Sequence, residues 1–201
     1  MLYQVVICDP PWHFSDSLKQ MKRPVKRSAQ SQYATLTPSE ICNVHLLDIV
    51  DPEWAVLALW VPGSMLQHGL RVMDAWGFTF KQTFIWTKLK KDYAKESDWN
   101  NATRVGMGRL FRQSHEIALI GTHGKDVYKH LENKSQRSVL FDLNLGHSVK
   151  PVGLHQRLEL MFPMGNKLEL FARRLTPGWT CIGDAITGKD VNESIQELGE
   201  L

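Results

Sequence analysis

Residues 3–12 read YQVVICDPPW. The first six are an almost unbroken apolar run, the pattern of a strand buried on both faces, and Asp9 ends it. Pro10 and Pro11 then remove two backbone donors and fix two φ angles, so the peptide carbonyls of this turn point in set directions. Within four residues the chain therefore presents a carboxylate, a rigid carbonyl and the π-face of Trp12. In open α/β sheets ligands sit outside the carboxyl ends of strands, which is where this turn falls.

Outward from that stretch, short apolar runs alternate with helical patterns, which predicts an α/β sheet covered by helices on both faces. WAVLALWV (54–61), FTFKQTFIWTKL (78–89) and HEIALIGTHG (115–124) read as strands. Towards the C-terminus, KLELFARRL (167–175) and WTCIGD (179–184) read as two more, joined through the turn TPG. In TLTPSEI, Thr37 is an N-cap, Pro38 opens the helix and Glu40 completes a capping box. Residues 64–76 and 152–162 carry apolar side chains at helical spacing. The C-terminal KDVNESIQELGEL predicts an exposed helix, and residues 187–201 a tail.

The 201 residues suit one domain, 1–201, with a single sizeable core. Hydrophobic and charged contents of 43% and 22% are those of a globular chain. A net charge of +3 is small, so nucleic-acid affinity would have to come from local patches. Cys8, Cys42 and Cys181 form no C-x-x-C pair and predict reduced thiols in an intracellular, cytoplasmic protein. No apolar stretch is long enough to span a membrane. The eight histidines show no ligand spacing, so no metal is expected.

Two stretches lack the alternating pattern. Residues 13–32 hold KQMKRPVKR, with Lys19, Lys22, Arg23, Lys26 and Arg27; residues 89–112 are polar and glycine-containing. Loops this long within a domain are commonly functional, and both are expected to be mobile substrate loops. Trp60, Trp76 and Trp86 read as core, whereas Trp99 lies in the second loop as a contact for substrate or partner.

The DPPW turn suits one kind of chemistry. An exocyclic amine on a planar base has two N–H donors and a lone pair delocalised into the ring. Accepting both hydrogens draws the nitrogen towards tetrahedral geometry and localises the lone pair for attack. Asp9 and the Pro10 carbonyl, braced by Pro11, supply two acceptors. Trp12 could stack on the ring, a contact worth about 1–3 kcal/mol.

The tetrapeptide resembles the catalytic motif of S-adenosylmethionine-dependent amino-methyltransferases. More narrowly, YATLTPSEI (33–41), LWVPG (59–63), GFTFKQTFIWTK (77–88), GRLFRQSHEIALIGTHG (108–124), SVKP (148–151) and KLELFARR resemble, in order, the family named after the 70-kDa catalytic subunit of the mRNA adenosine-N6 methyltransferase. The chain looks like a microbial or phage-like single-domain member. The resemblance implies a Rossmann-like methyltransferase fold with a mostly parallel sheet and permuted motif order, the catalytic turn before the cofactor-binding strands. It implies methyl transfer to N6 of adenine in nucleic acid.

On the cofactor side it places Lys150 on the methionine carboxylate, Arg173 at the end of KLELFAR on ribose or carboxylate, and Asp184 on ribose or adenine. Asp184 stands where relatives often carry asparagine, and an ionised aspartate only accepts. Asp9 would also face the cofactor ammonium; Cys8, Phe171 and Gly183 are assigned to the same side. On the substrate side stand the five basic residues of the first loop, Tyr33, Arg104, Arg109, Arg112, His115 and Glu116. Glu116 reads either as a buttress of the target loop or as a strand-edge acid. Glu169, an acid in an apolar strand, needs a partner such as Arg173 or a cofactor group.

DNA is the expected carrier of the target adenine, with RNA adenosine as the alternative. A reading of another class is an inactive nucleic-acid-binding or scaffold subunit. Methylation of protein glutamine fits less well, because that family carries asparagine in place of Asp9. A homodimer or a partner subunit is compatible with the sequence.

Overall fold

In β1 (Val5–Cys8) all four side chains are buried. This is possible only because both faces of the strand are covered. Val6 and Cys8 join a core with Ile41, Val72, Trp76 and Ile195 on one face. Val5 and Ile7 join a second core with Trp60, Trp86, Leu154 and Phe162 on the other. The computed structural model describes residues 1–13, 35–106, 108, 110–144, 146 and 149–200.

After β1 come α1 (Pro38–Cys42), β2 (Trp54–Val61), α2 (Leu66–Ala75), β3 (Thr79–Leu89), α3 (Trp99–Ala102) and β4 (His115–Gly124). They are followed by β5 (Val139–Leu143), α4 (Gly153–Met161), β6 (Lys167–Leu170), β7 (Thr180–Ile182), α5 (Asp184–Thr187) and α6 (Val191–Gly199). Among the described residues the seven strands make one sheet of order β5-β3-β4-β2-β1-β6-β7. Only β4 runs antiparallel to its neighbours. The expected α/β architecture with a mostly parallel sheet is what the chain adopts, and the antiparallel β4 makes the sheet a mixed one. Among the described residues no helix is long and apolar enough to cross a membrane.

The start of α1 follows the expected local chemistry. Thr37 caps the Glu40 amide, the Glu40 carboxylate returns to the Thr37 N–H at 2.7 Å, and Pro38 opens the helix.

Four expectations need correction. β5 is an additional strand, pairing in parallel with β3 at the sheet edge, where its alternate side chains stay exposed. β6 stops at Leu170 instead of continuing to 175, because Phe171 adopts a left-handed φ of 59° that turns the chain out of the sheet. The C-terminal segment is no exposed tail: Val191 and Ile195 of α6 are buried in the first core, and Leu198 packs against it. The second long loop is also partly built. Thr103 bridges Leu89, the Arg104 N–H donates to the Lys88 carbonyl at 2.7 Å, and Gly106 bonds Gln113 at 2.7 Å. The described residues between 89 and 114 thus extend the β3–β4 hairpin.

Topology selects one crevice. From β1 the chain moves to β2 on one side, whereas from β6 it moves to β7 on the other. The carboxyl ends of β1 and β6, which are adjacent and parallel, therefore form the switch point where α/β sheets bind ligands. Asp9 follows one strand and Phe171 the other.

A candidate active site at the β1–β6 switch point

The DPPW turn is held on both sides. The Trp12 amide donates to the Pro10 carbonyl at 2.9 Å, closing a tight turn that fixes this carbonyl and leaves it a second lone pair. The Leu36 amide donates to the Pro11 carbonyl and the His13 amide to the Leu36 carbonyl, each at 2.8 Å. The entry to α1 is thereby clamped against the turn.

Trp12 departs from its expected role. Its side chain is 5% exposed, lies in the first core and donates its indole N–H to the Trp60 carbonyl at 3.0 Å. The ring anchors the turn and does not stand open as a stacking platform. A tryptophan N–H is a donor only, and burying it requires an acceptor, here a β2 carbonyl.

Asp9 meets a cation from far along the chain. The Lys150 ammonium donates to Asp9 Oδ1 at 2.9 Å and Oδ2 at 2.8 Å. It also lies 3.3 Å from Glu116 Oε2, and Glu116 pairs in turn with Lys88. Four alternating charges thus run Asp9, Lys150, Glu116, Lys88. Two tryptophan faces support the cations: Lys150 Nζ is 5.6 Å from the Trp60 ring centroid and Lys88 Nζ 5.0 Å from that of Trp86. Burial alone would raise the Glu116 carboxyl, but the ammonium groups of Lys150 and Lys88 outweigh it and hold the group below the ordinary range. For Lys150 burial works towards the neutral amine, and Asp9 and Glu116 reverse this, raising its affinity for the proton.

The antiparallel strand explains how Glu116 reaches this edge. Because β4 runs against β2 and β3, its first residues lie beside their last ones: Glu116 pairs with Trp86 and Ile117 with Val61. An acid at the start of a strand therefore joins one at the end of another. Glu116 is part of the charged cluster and not a surface acid. Lys88 was not anticipated. Its signal is parity: it stands two residues after the buried Trp86 and so shares that side of β3.

The cofactor-side expectations divide. Lys150 is engaged by Asp9 and Glu116, and the Arg174 guanidinium reaches its carbonyl at 3.4 Å, tying this segment to the chain beyond β6. Cys8 is fully buried in the core and burial pushes its thiol far up, so its side chain offers a ligand nothing. Arg173 lies three residues beyond β6 and does not end it. Asp184 begins α5 and is exposed. Phe171 and Gly183 mark a close approach of backbones: a Cβ on Gly183 would stand 2.6 Å from the Ala172 carbonyl oxygen. Gly183→Ala should cost about 1–3 kcal/mol through overpacking, read as a lower midpoint in urea unfolding. An unchanged midpoint would mean that the two strand ends separate freely.

Within the chain Glu169 is partnered by His155 and Thr176 and not by Arg173. His155 Nε2 lies 3.0 Å from its carboxylate, the Thr176 hydroxyl donates to it at 2.7 Å, and these bonds hold it ionised against the effect of burial.

Of the substrate-side residues, Arg104, Arg112 and His115 are exposed around the base of the 89–114 hairpin. Trp99 in this segment is 65% exposed, with its ring tilted against Phe141 at 5.4 Å. Lys19, Lys22, Arg23, Lys26, Arg27, Tyr33 and Arg109 lie outside the described residues.

Comparison with known proteins adds an independent finding. The sequence profile of the MT-A70 family matches residues 3–185. The type II methyltransferase M.MunI of a Mycoplasma species is 27% identical over 192 residues, covering 88% of this chain and 75% of that protein. The human N(6)-adenosine-methyltransferase catalytic subunit METTL3 is 25% identical over 189 residues, 92% of this chain and 28% of its own length. The human N(6)-adenine-specific methyltransferase METTL4 is 27% identical over 192 residues, again 92% of this chain and 37% of its own length. The chain thus spans three quarters of the Mycoplasma relative and well under half of the two human ones.

Proposed function

Since the chain belongs to the MT-A70 family, we propose that it methylates N6 of adenine in nucleic acid with S-adenosylmethionine as the methyl donor. The observation that carries this reading is the place of Asp9: a carboxylate at the switch-point crevice, gripped at both oxygens by Lys150, with the Pro10 carbonyl fixed beside it.

The residues at the crevice suit such a cofactor. Asp9 matches an ammonium, and Asp184, exposed at the start of α5, can accept from hydroxyls. When bound, S-adenosylmethionine supplies an electrophilic methyl group on a sulfonium. The chain's own contribution is to hold the amine. Asp9 and the Pro10 carbonyl accept its two hydrogens, and each retains acceptor capacity beyond the bonds already made. Positive charge develops on N6 as the C–N bond forms. The fixed Asp9 carboxylate stabilises that charge without having to reorganise. One N6 proton then leaves to solvent.

Lys150 orients Asp9, and Glu116 with Lys88 orients Lys150. A duplex adenine would have to be flipped into the crevice, with Arg104 and Arg112 placed to meet phosphates. We take DNA as the carrier of the target adenine. The adenosine methyltransferase relative supports RNA as the second reading. In this reading the catalytic turn precedes the cofactor-binding strand ends in sequence.

The test is tritium transfer from labelled S-adenosylmethionine to matched single-stranded DNA, duplex DNA and RNA. Incorporation into DNA that disappears when the adenines are already N6-methylated is the expected result. Incorporation confined to RNA would reassign the carrier. No transfer, together with no cofactor binding by calorimetry, would support the scaffold reading instead.

A further inference from the structure

A second cavity lies between the sheet and α4, on the face opposite α1 and α2. It has a volume of about 290 Å³, near the lower end of the roughly 300–1,000 Å³ typical of small-molecule sites. Its floor is apolar: Phe84 and Ile120 from the sheet, Leu158 from α4 and Phe162 directly after it. Its rim carries Lys81, Arg137 and Arg157, and none of the seventeen lining residues is acidic.

The rim is arranged as an anion site. The Arg157 guanidinium donates to the carbonyls of Arg137 and Val139 and lies 5.3 Å from the Phe84 ring centroid, which fixes its direction. Carbonyls and a ring leave its full charge uncompensated. Arg137 stands close enough to act on it as a like charge, and burial with this neighbour lowers its hold on the proton. Among the described residues, no acid pairs with any of the three cations. Positive charge at the mouth of an apolar cavity complements one class of occupant.

The cavity is also separate from the crevice at Asp9. Its sheet side includes Val56 and Thr122, which pair with each other next to Val5 at the start of β1. Asp9 lies four residues further on, about 13 Å along the strand.

We propose that this cavity binds an amphipathic organic anion, a small apolar body bearing one carboxylate or sulfonate, with the body on the Phe84–Leu158 floor and the charge between Arg137 and Arg157. The probe pair is 1-anilinonaphthalene-8-sulfonate and N-phenyl-1-naphthylamine, which share a ring system and differ in the anionic group. In a fluorescence titration of the full chain, the sulfonate should saturate one site and bind at least tenfold tighter than the neutral probe. Arg137→Glu and Lys81→Glu change exposed side chains and should leave the fold intact. Arg137→Glu should weaken the sulfonate at least tenfold and the neutral probe less than twofold, with Lys81→Glu acting in the same direction. Methyl resonances of Ile120, Leu154 and Leu158 should shift along the same saturation curve, and saturating S-adenosylmethionine should leave the probe bound. Equal affinities, an unaffected Arg137→Glu variant, shifts confined to other residues or displacement by S-adenosylmethionine would each overturn the proposal.

Discussion

Asp9→Ala should lower the rate of methyl transfer by about 10²–10³-fold, the range seen when one preorganised electrostatic contact to a transition state is removed. The loss should fall mainly on kcat. The carboxylate is asked to act on a nitrogen that becomes positive only as the new bond forms, so its removal affects the transition state more than substrate binding. The fold should survive, because Lys150 keeps Glu116 as a partner at 3.3 Å and the turn is held by backbone bonds that do not involve the Asp9 side chain. Asp9→Asn should fall between the two, since its amide oxygen still accepts but carries no charge. Tritium incorporation measures the rate, and circular dichroism checks the fold. Turnover of Asp9→Ala within a few-fold of the parent chain would remove Asp9 from the mechanism.

Lys150→Met should have the largest effect on stability. It leaves the Asp9 and Glu116 carboxylates facing one another with only Lys88 to compensate. Breaking a buried ion pair from one side costs roughly 3–5 kcal/mol. The side chains of Lys150, Asp9 and Glu116 are 18%, 24% and 28% exposed, so solvent screening places this site at the lower end.

The pH dependence has a definite sign. Glu116 is held below its ordinary value of 4.5 in the folded chain, so its contribution is complete above pH 4.5 and is lost as pH falls through the lower, folded value. Lys150 is held above its ordinary 10.5, so its contribution is complete below pH 10.5 and is lost as pH rises through the folded value. Urea unfolding of the parent chain should show both limbs. In Lys150→Met the alkaline limb from this group should vanish and the acid limb should flatten, because Glu116 loses one of its two cationic partners. Unaltered limbs in the variant would mean that the cluster is not the source of the pH dependence.

Much of this organisation is local in origin. β1, β2 and β4 announce themselves by apolar runs of strand length, and the α1 cap by Thr37, Pro38 and Glu40. The parts that local sequence does not announce depend on distant neighbours. The exposed alternate residues of β5 make sense only once β3 lies beside it. The continuation of KLEL into FARRL looks like strand until Phe171 turns away. In α6, Val191, Ile195 and Leu198 form a narrow stripe whose burial depends on the core surface it meets. Trp12 looked like a platform because its sequence position says nothing about the Trp60 carbonyl waiting 48 residues away.

The DPPW turn marks the same division at the site itself. Its stiffness, the direction of the Pro10 carbonyl and its place behind a buried strand follow from proline sterics and the apolar run, so ten residues suffice to identify an acceptor pair for a planar amine. What grips the carboxylate does not follow from them. Lys150 stands 141 residues beyond Asp9, and Glu116 and Lys88 come from a strand pair whose opposed direction brings them to the same edge. Backbone sterics act between neighbours and are legible in order along the chain, whereas charges find partners only where the closed sheet brings them together.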